Sequence, residues 1–219
     1  MIPTPSLTHL TKQDFRKVYE PAEDTFILLD ALELEADSLA SLSSPLCVEI
    51  GSGSGMVTSF LSQILGPTSA AYLAIDLNPH ANACTLATGR ANNVHIEAVR
   101  SSLVSGLRPR LDGRVDVLLF NPPYVPTEEE EEMMAQNKAG IEGSWAGGET
   151  GTRLVDELID GGIIKDVLAS SGRLYLVAIK QNDPARLVRR LTEQGLESEV
   201  VLARRAGGEH LHIIRAVKP

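Results

Sequence analysis

Hydrophobic and polar positions alternate between two periods along the chain. Short apolar runs with strand-like spacing are followed by segments in which apolar residues recur every three or four positions, as in helices packed on a sheet. The predicted strands are residues 46–51, 70–77, 94–100, 115–121 and 172–180. The predicted helices are residues 22–41, 56–65, 79–92, 150–170 and 183–195. Alternation of this kind predicts an α/β fold with a mostly parallel sheet and helices on both faces.

The two ends of the chain depart from this alternation. Near the carboxyl end, the strand-like runs ESEVVLARR and EHLHIIRAV are separated only by AGG. So short a turn cannot make a parallel crossover, so the last pair of seven predicted strands must be antiparallel. Residues 1–18 contain two prolines and no clear period, and they predict a flexible lead-in to a single domain over residues 19–219.

Composition narrows the classes of protein that the chain can belong to. The 219 residues are 43% hydrophobic and carry a net charge of −9, which argues against non-specific nucleic-acid binding because phosphate contacts need clustered Lys and Arg. The longest apolar runs, VDVLLF and LYLVAI, are far below the roughly 18 residues of a membrane span. The amino terminus also lacks the basic and apolar regions of a signal peptide. We expect a cytoplasmic protein, with the nucleus as a second location.

Cysteine and histidine positions do not predict a metal site. Cys47 and Cys84 are far apart in the sequence and form no C-x-x-C motif, so ordinary buried thiols are expected. The five histidines show no ligand spacing with cysteine or aspartate. No metal cofactor is therefore predicted.

A glycine-rich loop follows the first strand of the α/β unit. Glu49 and Ile50 lead into Gly51, Gly53 and Gly55, and such loops at strand ends let backbone approach a ligand closely. The pattern is G-x-G-x-G, whereas the dinucleotide fingerprint needs its third glycine at the position of Met56. The mismatch favours a nucleoside ligand smaller than a dinucleotide.

Asp76 ends the second predicted strand. An acid at this position can accept hydrogen bonds from both ribose hydroxyls of a nucleoside. Glu49, the glycine loop and Asp76 together predict a pocket for S-adenosyl-L-methionine.

The tetrapeptide Asn121–Tyr124, NPPY, directly follows the strand VDVLLF. An amide nitrogen is a poor nucleophile because its lone pair is delocalised, but it carries two N–H donors. The Asn121 side-chain oxygen and the Pro122 carbonyl can each accept one of them, and Pro122 and Pro123 stiffen the backbone. Two acceptors would orient the nitrogen and stabilise its developing positive charge. Tyr124 would stack on the flat substrate amide, near the sulfonium.

Five motifs occur in the order YEPAEDTFILLDAL, EIGSGSG, AID, FNPPY and GIEGSWAGG. This order resembles the class I S-adenosylmethionine-dependent methyltransferases, and within them the HemK-like release-factor glutamine methyltransferases of eukaryotes and archaea. The resemblance covers about residues 19–216. It implies a seven-stranded Rossmann-like sheet and methylation of the glutamine in the Gly-Gly-Gln motif of the class 1 release factor. It also implies a heterodimer with a small zinc-binding activator subunit, bound at a sheet edge for which AAYLAID and VHIEAVR are candidates.

The resemblance assigns further site residues. Thr25 would close over the methionine end of the cofactor, Tyr19 would form a pocket wall, and Trp145 would anchor a loop under the substrate channel. Family members commonly carry an acid after the third strand, where this chain has Ser102, so Ser102 would contact the adenine only weakly and Leu103 would pack on its ring. For Pro21, Glu23 and Asp24 two interpretations stay open, a part in the closing segment and simple helix-start chemistry.

Three other functions remain open on the sequence. A lysine of histone H4 could use the same two acceptors, and NPPY alone does not exclude adenine-N6 methylation of DNA or RNA. The acidic charge and the lack of a target-recognition domain argue against nucleic acid. A catalytically idle partner subunit is disfavoured because an idle site has no chemical need for Asn121, Pro122 and Tyr124.

The run Glu128–Glu132 predicts a solvated helix start.

Overall fold

The structure, a computed structural model, describes residues 1–124 and 152–219. Its strands form one seven-stranded sheet in the order β3-β2-β1-β4-β5-β7-β6. Strand β7 is antiparallel to both neighbours, and the strand pairs from β3 to β5 are parallel. The predicted fold class is confirmed. The strands are β1 Leu46–Ile50, β2 Ala71–Asp76, β3 Ile96–Arg100, β4 Val115–Phe120, β5 Leu168–Ile179, β6 Glu197–Ala206 and β7 Glu209–Val217.

The helices of the described residues lie near their predicted positions. The predicted helix over 22–41 is divided at Glu35 into two helices. The bounds are α1 Glu23–Leu34, α2 Ala36–Ala40, α3 Met56–Leu65, α4 Pro79–Ala91, α5 Arg153–Asp160, α6 Ile163–Val167 and α7 Pro184–Glu193, with a short 3₁₀ helix at Lys180–Asn182.

The single helix predicted for residues 150–170 is wrong at the glycine pair 161–162 and from Leu168 onward, whereas Arg153–Asp160 and Ile163–Val167 are helical. Gly161 and Gly162 separate α5 from α6, and Gly162 has a left-handed φ of 65°, which an L residue in a continuous helix would not adopt. Strand β5 then begins at Leu168, which pairs with Val115. Pairing with β4 therefore places residues 168–170, which the local pattern assigned to a helix, in strand β5.

Two apolar cores lie on the two faces of the sheet. One contains Cys47 of β1 with side chains of α1 and α3, and the other contains Val48 and Ile50 with side chains of α5 and α7. Cys84 is also buried, and both thiols are free.

Within residues 1–124 and 152–219, no helix could span a membrane and no group of three or more acidic, His or Cys side chains could hold a metal ion.

Residues 1–18 lie against helix α4. The Ser6 amide donates to Asn92 Oδ1 at 2.8 Å, His9 Nε2 lies 3.0 Å from Thr88 Oγ1, and Val18 is buried against α4. Flexibility of this segment in solution stays a prediction. Because Val18 is anchored on α4, the next residue, Tyr19, is placed at the cavity described below.

The sheet has β3 at one edge. Strand β2 is paired on both sides, with β1 and with β3, so AAYLAID cannot offer a free edge and that expectation is wrong. The sequence could not separate the two candidates because strand order is a property of the assembled sheet. VHIEAVR, which contains β3, remains the candidate edge.

Candidate active site

A cavity lies at the carboxyl ends of β1, β2 and β4, the usual ligand site of a parallel α/β sheet. Most of the predicted site residues meet there. Trp145 and Glu128–Glu132 lie outside the described residues. The predicted residues that line the cavity are Tyr19, Thr25, Glu49, Gly51, Gly53, Asp76, Ser102, Leu103, Asn121, Pro122 and Pro123.

Helix α4 holds the glycine loop from behind. Thr88 Oγ1 donates to the Ser54 carbonyl at 2.7 Å, and the hydroxyls of Ser52 and Thr85 are 2.9 Å apart. Thr85 and Thr88 are fully buried. No sequence motif predicted the role of these two threonines, because their partners Ser52 and Ser54 lie 33 and 34 positions earlier in the chain.

Close packing against α4 requires glycine at position 55. It precedes α3 with a φ of 79°, and a Cβ at this position would lie 2.7 Å from Thr85 Cα. A side chain would therefore force the loop and α4 apart. Gly55 is not among the cavity-lining residues of the described chain, and its predicted contact with the cofactor stays a prediction.

The Asp76 carboxylate is oriented by backbone amides. Its Oδ2 accepts from the Gly53 amide at 3.1 Å and its Oδ1 from the Asn78 amide at 2.8 Å. Burial raises the pKa of Asp76, and these two hydrogen bonds oppose the shift. Asn78 also lines the cavity and was not predicted. Its signal was the Asn-Pro helix start, since Asn78 caps α4 ahead of Pro79.

Glu49 is a nearly fully buried acid in the cavity wall, with 4% of its surface exposed. Its Oε2 accepts from the Thr58 amide at 3.1 Å and from the Thr58 hydroxyl. Burial raises the pKa of Glu49 to about 8, against the opposing effect of the Thr58 hydrogen bonds. A cation bound in the cavity would favour the ionised carboxylate.

Ser102 and Leu103 line the cavity from the loop after β3. Leu103 is 8% exposed and has a φ of 47°, which is uncommon for a side-chain-bearing residue. The Ser102 carbonyl accepts from the amide and hydroxyl of Ser105, which close a tight turn. Their predicted adenine contacts stay predictions.

Asp24 is the centre of a hydrogen-bond network that sequence reasoning left undecided. The residue is 3% exposed, and its carboxylate accepts from the Tyr19 hydroxyl at 3.1 Å, the Tyr124 hydroxyl at 3.0 Å and Asn121 Nδ2 at 2.9 Å. Its Oδ1 also accepts from the Thr25 amide at 2.7 Å. Asp24 therefore joins the start of α1 to the NPPY segment.

The Asn121 carboxamide has one bonded end and one unbonded end. Nδ2 donates to Asp24, whereas Oδ1 is buried without a hydrogen-bond partner among the described residues. A buried acceptor without a donor costs free energy, about 1–3 kcal/mol, and such an atom calls for an explanation. Because Asn121 lines the cavity, a ligand N–H is the natural donor.

Tyr124 has contacts other than those expected. It is 8% exposed and lies in the core cluster with α1, its hydroxyl donates to Asp24, and its carbonyl accepts from Asn182 Nδ2 at 3.1 Å. Burial and the charge of Asp24 raise the pKa of Tyr124, so the hydroxyl stays a donor. Tyr124 is not among the described residues that line the cavity, and its stacking on a substrate stays a prediction.

Similarity to known proteins agrees with this site. Residues 25–139 match the family model "Methyltransferase small domain". Human "Methyltransferase HEMK2" is 45% identical over 215 residues, 98% of this chain and 96% of that protein. The "eRF1 methyltransferase catalytic subunit mtq2" of Schizosaccharomyces pombe is 38% identical over 226 residues, 98% of this chain and 95% of the relative.

A solved structure agrees as well. The structure titled as the E. cuniculi Mtq2–Trm112 complex matches with a TM-score of 0.68 and 28% identity, over 92% of this chain and 99% of the matched chain. The family match, the near-complete alignments and the shared fold confirm the resemblance drawn from the motifs. The chain belongs to the HemK-like release-factor glutamine methyltransferases, within the methyltransferase small-domain family.

Proposed function

We propose that this chain is the catalytic subunit of a heterodimer that methylates the glutamine side chain in the Gly-Gly-Gln motif of the class 1 release factor. The yeast relative is named an eRF1 methyltransferase catalytic subunit, and the E. cuniculi complex is titled as responsible for methylation of the eRF1 termination factor. The observation that carries the proposal is Asn121 Oδ1, which is buried in the wall of the cavity and has no hydrogen-bond partner among residues 1–124 and 152–219.

The cavity fits S-adenosylmethionine as methyl donor. The Asp76 carboxylate, held by two backbone amides, suits the two ribose hydroxyls. The buried Glu49 carboxyl suits the ammonium group of the methionine moiety, and the Gly51–Gly53 backbone lets the ligand approach closely. Tyr19 and Thr25 line the cavity from the amino-terminal side, and Ser102 and Leu103 from the loop after β3. When bound, S-adenosylmethionine supplies an electrophilic methyl group on a positively charged sulfur.

The acceptor amide is held by NPPY. Asn121 Oδ1 accepts one N–H of the substrate carboxamide, and the Pro122 carbonyl accepts the other. These acceptors position the nitrogen and stabilise the positive charge that develops on it. No general base is needed before attack, because the methylated amide can lose its proton to water afterwards.

The partner is a small zinc-binding activator subunit, as the Trm112 named in the E. cuniculi complex suggests. The outer edge of β3, which pairs with no further strand of the described residues, is the proposed docking site, since such an edge can extend the sheet into a partner. We expect the chain to be poorly soluble alone and soluble when co-expressed with the activator. A stable, active monomer would remove this part of the proposal. The heterodimer would work in the cytoplasm, with the nucleus as a second location.

One parallel assay tests the function. The heterodimer is incubated with labelled S-adenosylmethionine and, in separate reactions, the release factor, the same factor with its motif glutamine replaced, histone H4 and adenine-containing oligonucleotides. Label on the wild-type release factor alone is expected. Label on histone H4 alone would make the chain a lysine methyltransferase, and label on the oligonucleotide alone would make it an adenine methyltransferase. Either result overturns the proposal.

A further inference from the structure

We infer that Asp24 is a positioning residue for methyl transfer, which acts by holding the Asn121 carboxamide in the one orientation that presents its oxygen to the substrate. This inference rests on the proposed function, and it gives a reaction role to a residue for which the sequence left open a part in the closing segment and simple helix-start chemistry.

The Asn121 carboxamide can occupy its site in two orientations. The oxygen and the NH₂ group of asparagine have nearly the same shape, so packing alone does not choose between them. With Nδ2 at 2.9 Å from Asp24 Oδ2, the NH₂ group faces a carboxylate. The reverse orientation would set the amide oxygen against that carboxylate, two acceptors with no proton between them. Asp24 therefore selects the orientation in which Oδ1 is free for a substrate N–H.

Asp24 is itself held in place. The residue is 3% exposed, and its carboxylate accepts from the hydroxyls of Tyr19 and Tyr124 as well as from Asn121. Burial and the charge of Asp24 raise the pKa of both tyrosines, so both remain protonated donors. Because two hydroxyls fix the Asp24 carboxylate, the carboxylate in turn fixes the Asn121 amide that is bonded to it. An acceptor that is fixed before the reaction can stabilise a charge that develops on the substrate without first reorganising.

Asp24 differs from the other acid at the start of α1. Acids in the first turn of a helix interact favourably with its dipole, and Glu23 and Asp24 both lie in the first turn of α1. Glu23 is exposed, whereas the Asp24 side chain is turned into the network. A dipole role would fall on both acids, whereas the positioning role falls on Asp24 alone. Glu23 is therefore a matched control with the same charge in the same turn.

The principal test is Asp24→Asn in the full heterodimer, with Glu23→Gln beside it. Asparagine keeps the shape but removes the carboxylate that chooses the amide orientation. We expect kcat to fall about 100-fold, with the KM for the release factor and the affinity for S-adenosylmethionine changed less than about threefold. Glu23→Gln should leave all three unchanged. Wild-type kcat in Asp24→Asn, or an equal loss in Glu23→Gln, would overturn the inference while leaving the proposed function intact.

A double-mutant cycle tests whether Asp24 acts through Asn121. In an Asn121→Ala background no amide is left to orient, so adding Asp24→Asn should lower the single-turnover rate by less than about threefold further. A merely structural role for Asp24 would instead give losses that multiply. Multiplying losses therefore contradict the inference.

A third measurement needs neither activity nor a folded variant. A high-resolution structure of the wild-type heterodimer, with the Asn121 amide assigned from its hydrogen bonds, should show Nδ2 on Asp24. Asn121 turned away from Asp24, or with its oxygen facing the carboxylate, would overturn the inference. If the wild-type enzyme methylates none of the acceptors, the proposed function fails, and this structure still decides the orientation.

Discussion

The two ends of the cavity are built in different ways. At the glycine-loop end, Gly53 contacts Asp76 across 23 positions and Thr58 contacts Glu49 across 9, all within one strand–loop–helix–strand unit. At the NPPY end, Asp24 meets Asn121 across 97 positions. The two carboxyl groups of the cofactor end are thus held by contacts that are local in sequence, whereas the acceptor end exists only once α1 packs beside the end of β4.

The two buried carboxyl groups reflect the same difference. Glu49 accepts from the backbone and hydroxyl of a single residue, Thr58, and its pKa is raised to about 8, so a ligand cation can change its protonation. Asp24 accepts from three side chains in two separate parts of the chain, Tyr19 just before α1 and Asn121 and Tyr124 after β4. Glu49 is suited to respond to the cofactor, and Asp24 is suited to hold the geometry of the acceptor site.

The largest effect is expected at the acceptor end. Asn121→Ala removes the oxygen that would accept the substrate N–H, and kcat should fall about 100- to 1,000-fold. S-adenosylmethionine affinity should fall by less than about tenfold, as measured by calorimetry. Unchanged turnover would refute the assignment of the acceptor end to NPPY.

Asp76→Asn should affect the opposite end. Loss of a charged acceptor costs about 1.5–3 kcal/mol, so S-adenosylmethionine should bind about 10- to 100-fold more weakly. At saturating cofactor, kcat should stay within a few-fold of wild type. Equal losses in Asp76→Asn and Asn121→Ala for both quantities would show that the two ends are not separable.

The pH dependence of stability should report Glu49. Because its folded pKa of about 8 lies above its ordinary value of 4.5, the folded chain binds more protons than the unfolded chain between these values. The free energy of unfolding of the cofactor-free protein should therefore fall as pH rises through this window, by up to about 1.4 kcal/mol per pH unit from this group.

Denaturant titrations of wild type and Glu49→Gln at several pH values measure this slope. The variant should lose the Glu49 contribution, and saturating S-adenosylmethionine should reduce the wild-type slope by favouring the carboxylate. Identical slopes in the two proteins would exclude a raised pKa at Glu49.

The smallest effect is expected at Ser102. Ser102→Asp restores the acid that family members commonly carry, and one added hydrogen bond of about 0.5–1.5 kcal/mol should tighten S-adenosylmethionine binding about two- to tenfold. Ser43→Asp, which adds the same charge at an exposed serine outside the cavity lining, is the control and should leave affinity unchanged. Weaker binding by Ser102→Asp would mean that the adenine is not held near this loop.

Local sequence patterns determined much of the fold. Helix α3 occupies the predicted positions, the Asn-Pro pair begins α4, and the short glycine turn makes β6 and β7 antiparallel. These features depend on backbone conformation and on side-chain period, which nearby residues set. The glycine pair before α6 is also visible in the sequence. The apolar spacing on both sides of it nevertheless predicts one continuous helix, which the structure divides at this pair.

The sequence by itself determined the family, the methyl-donor loop and the likeness of NPPY to an amide-binding segment, because each is a short run with its own chemistry. Only the tertiary structure decided that β3 rather than β2 lies at an edge of the sheet, that Thr85 and Thr88 hold the glycine loop, and that Asp24 bonds Asn121 and Tyr124. The physical reason is that a buried carboxylate gains its role from the donors that surround it. In this chain those donors come from segments that are adjacent only in the folded protein.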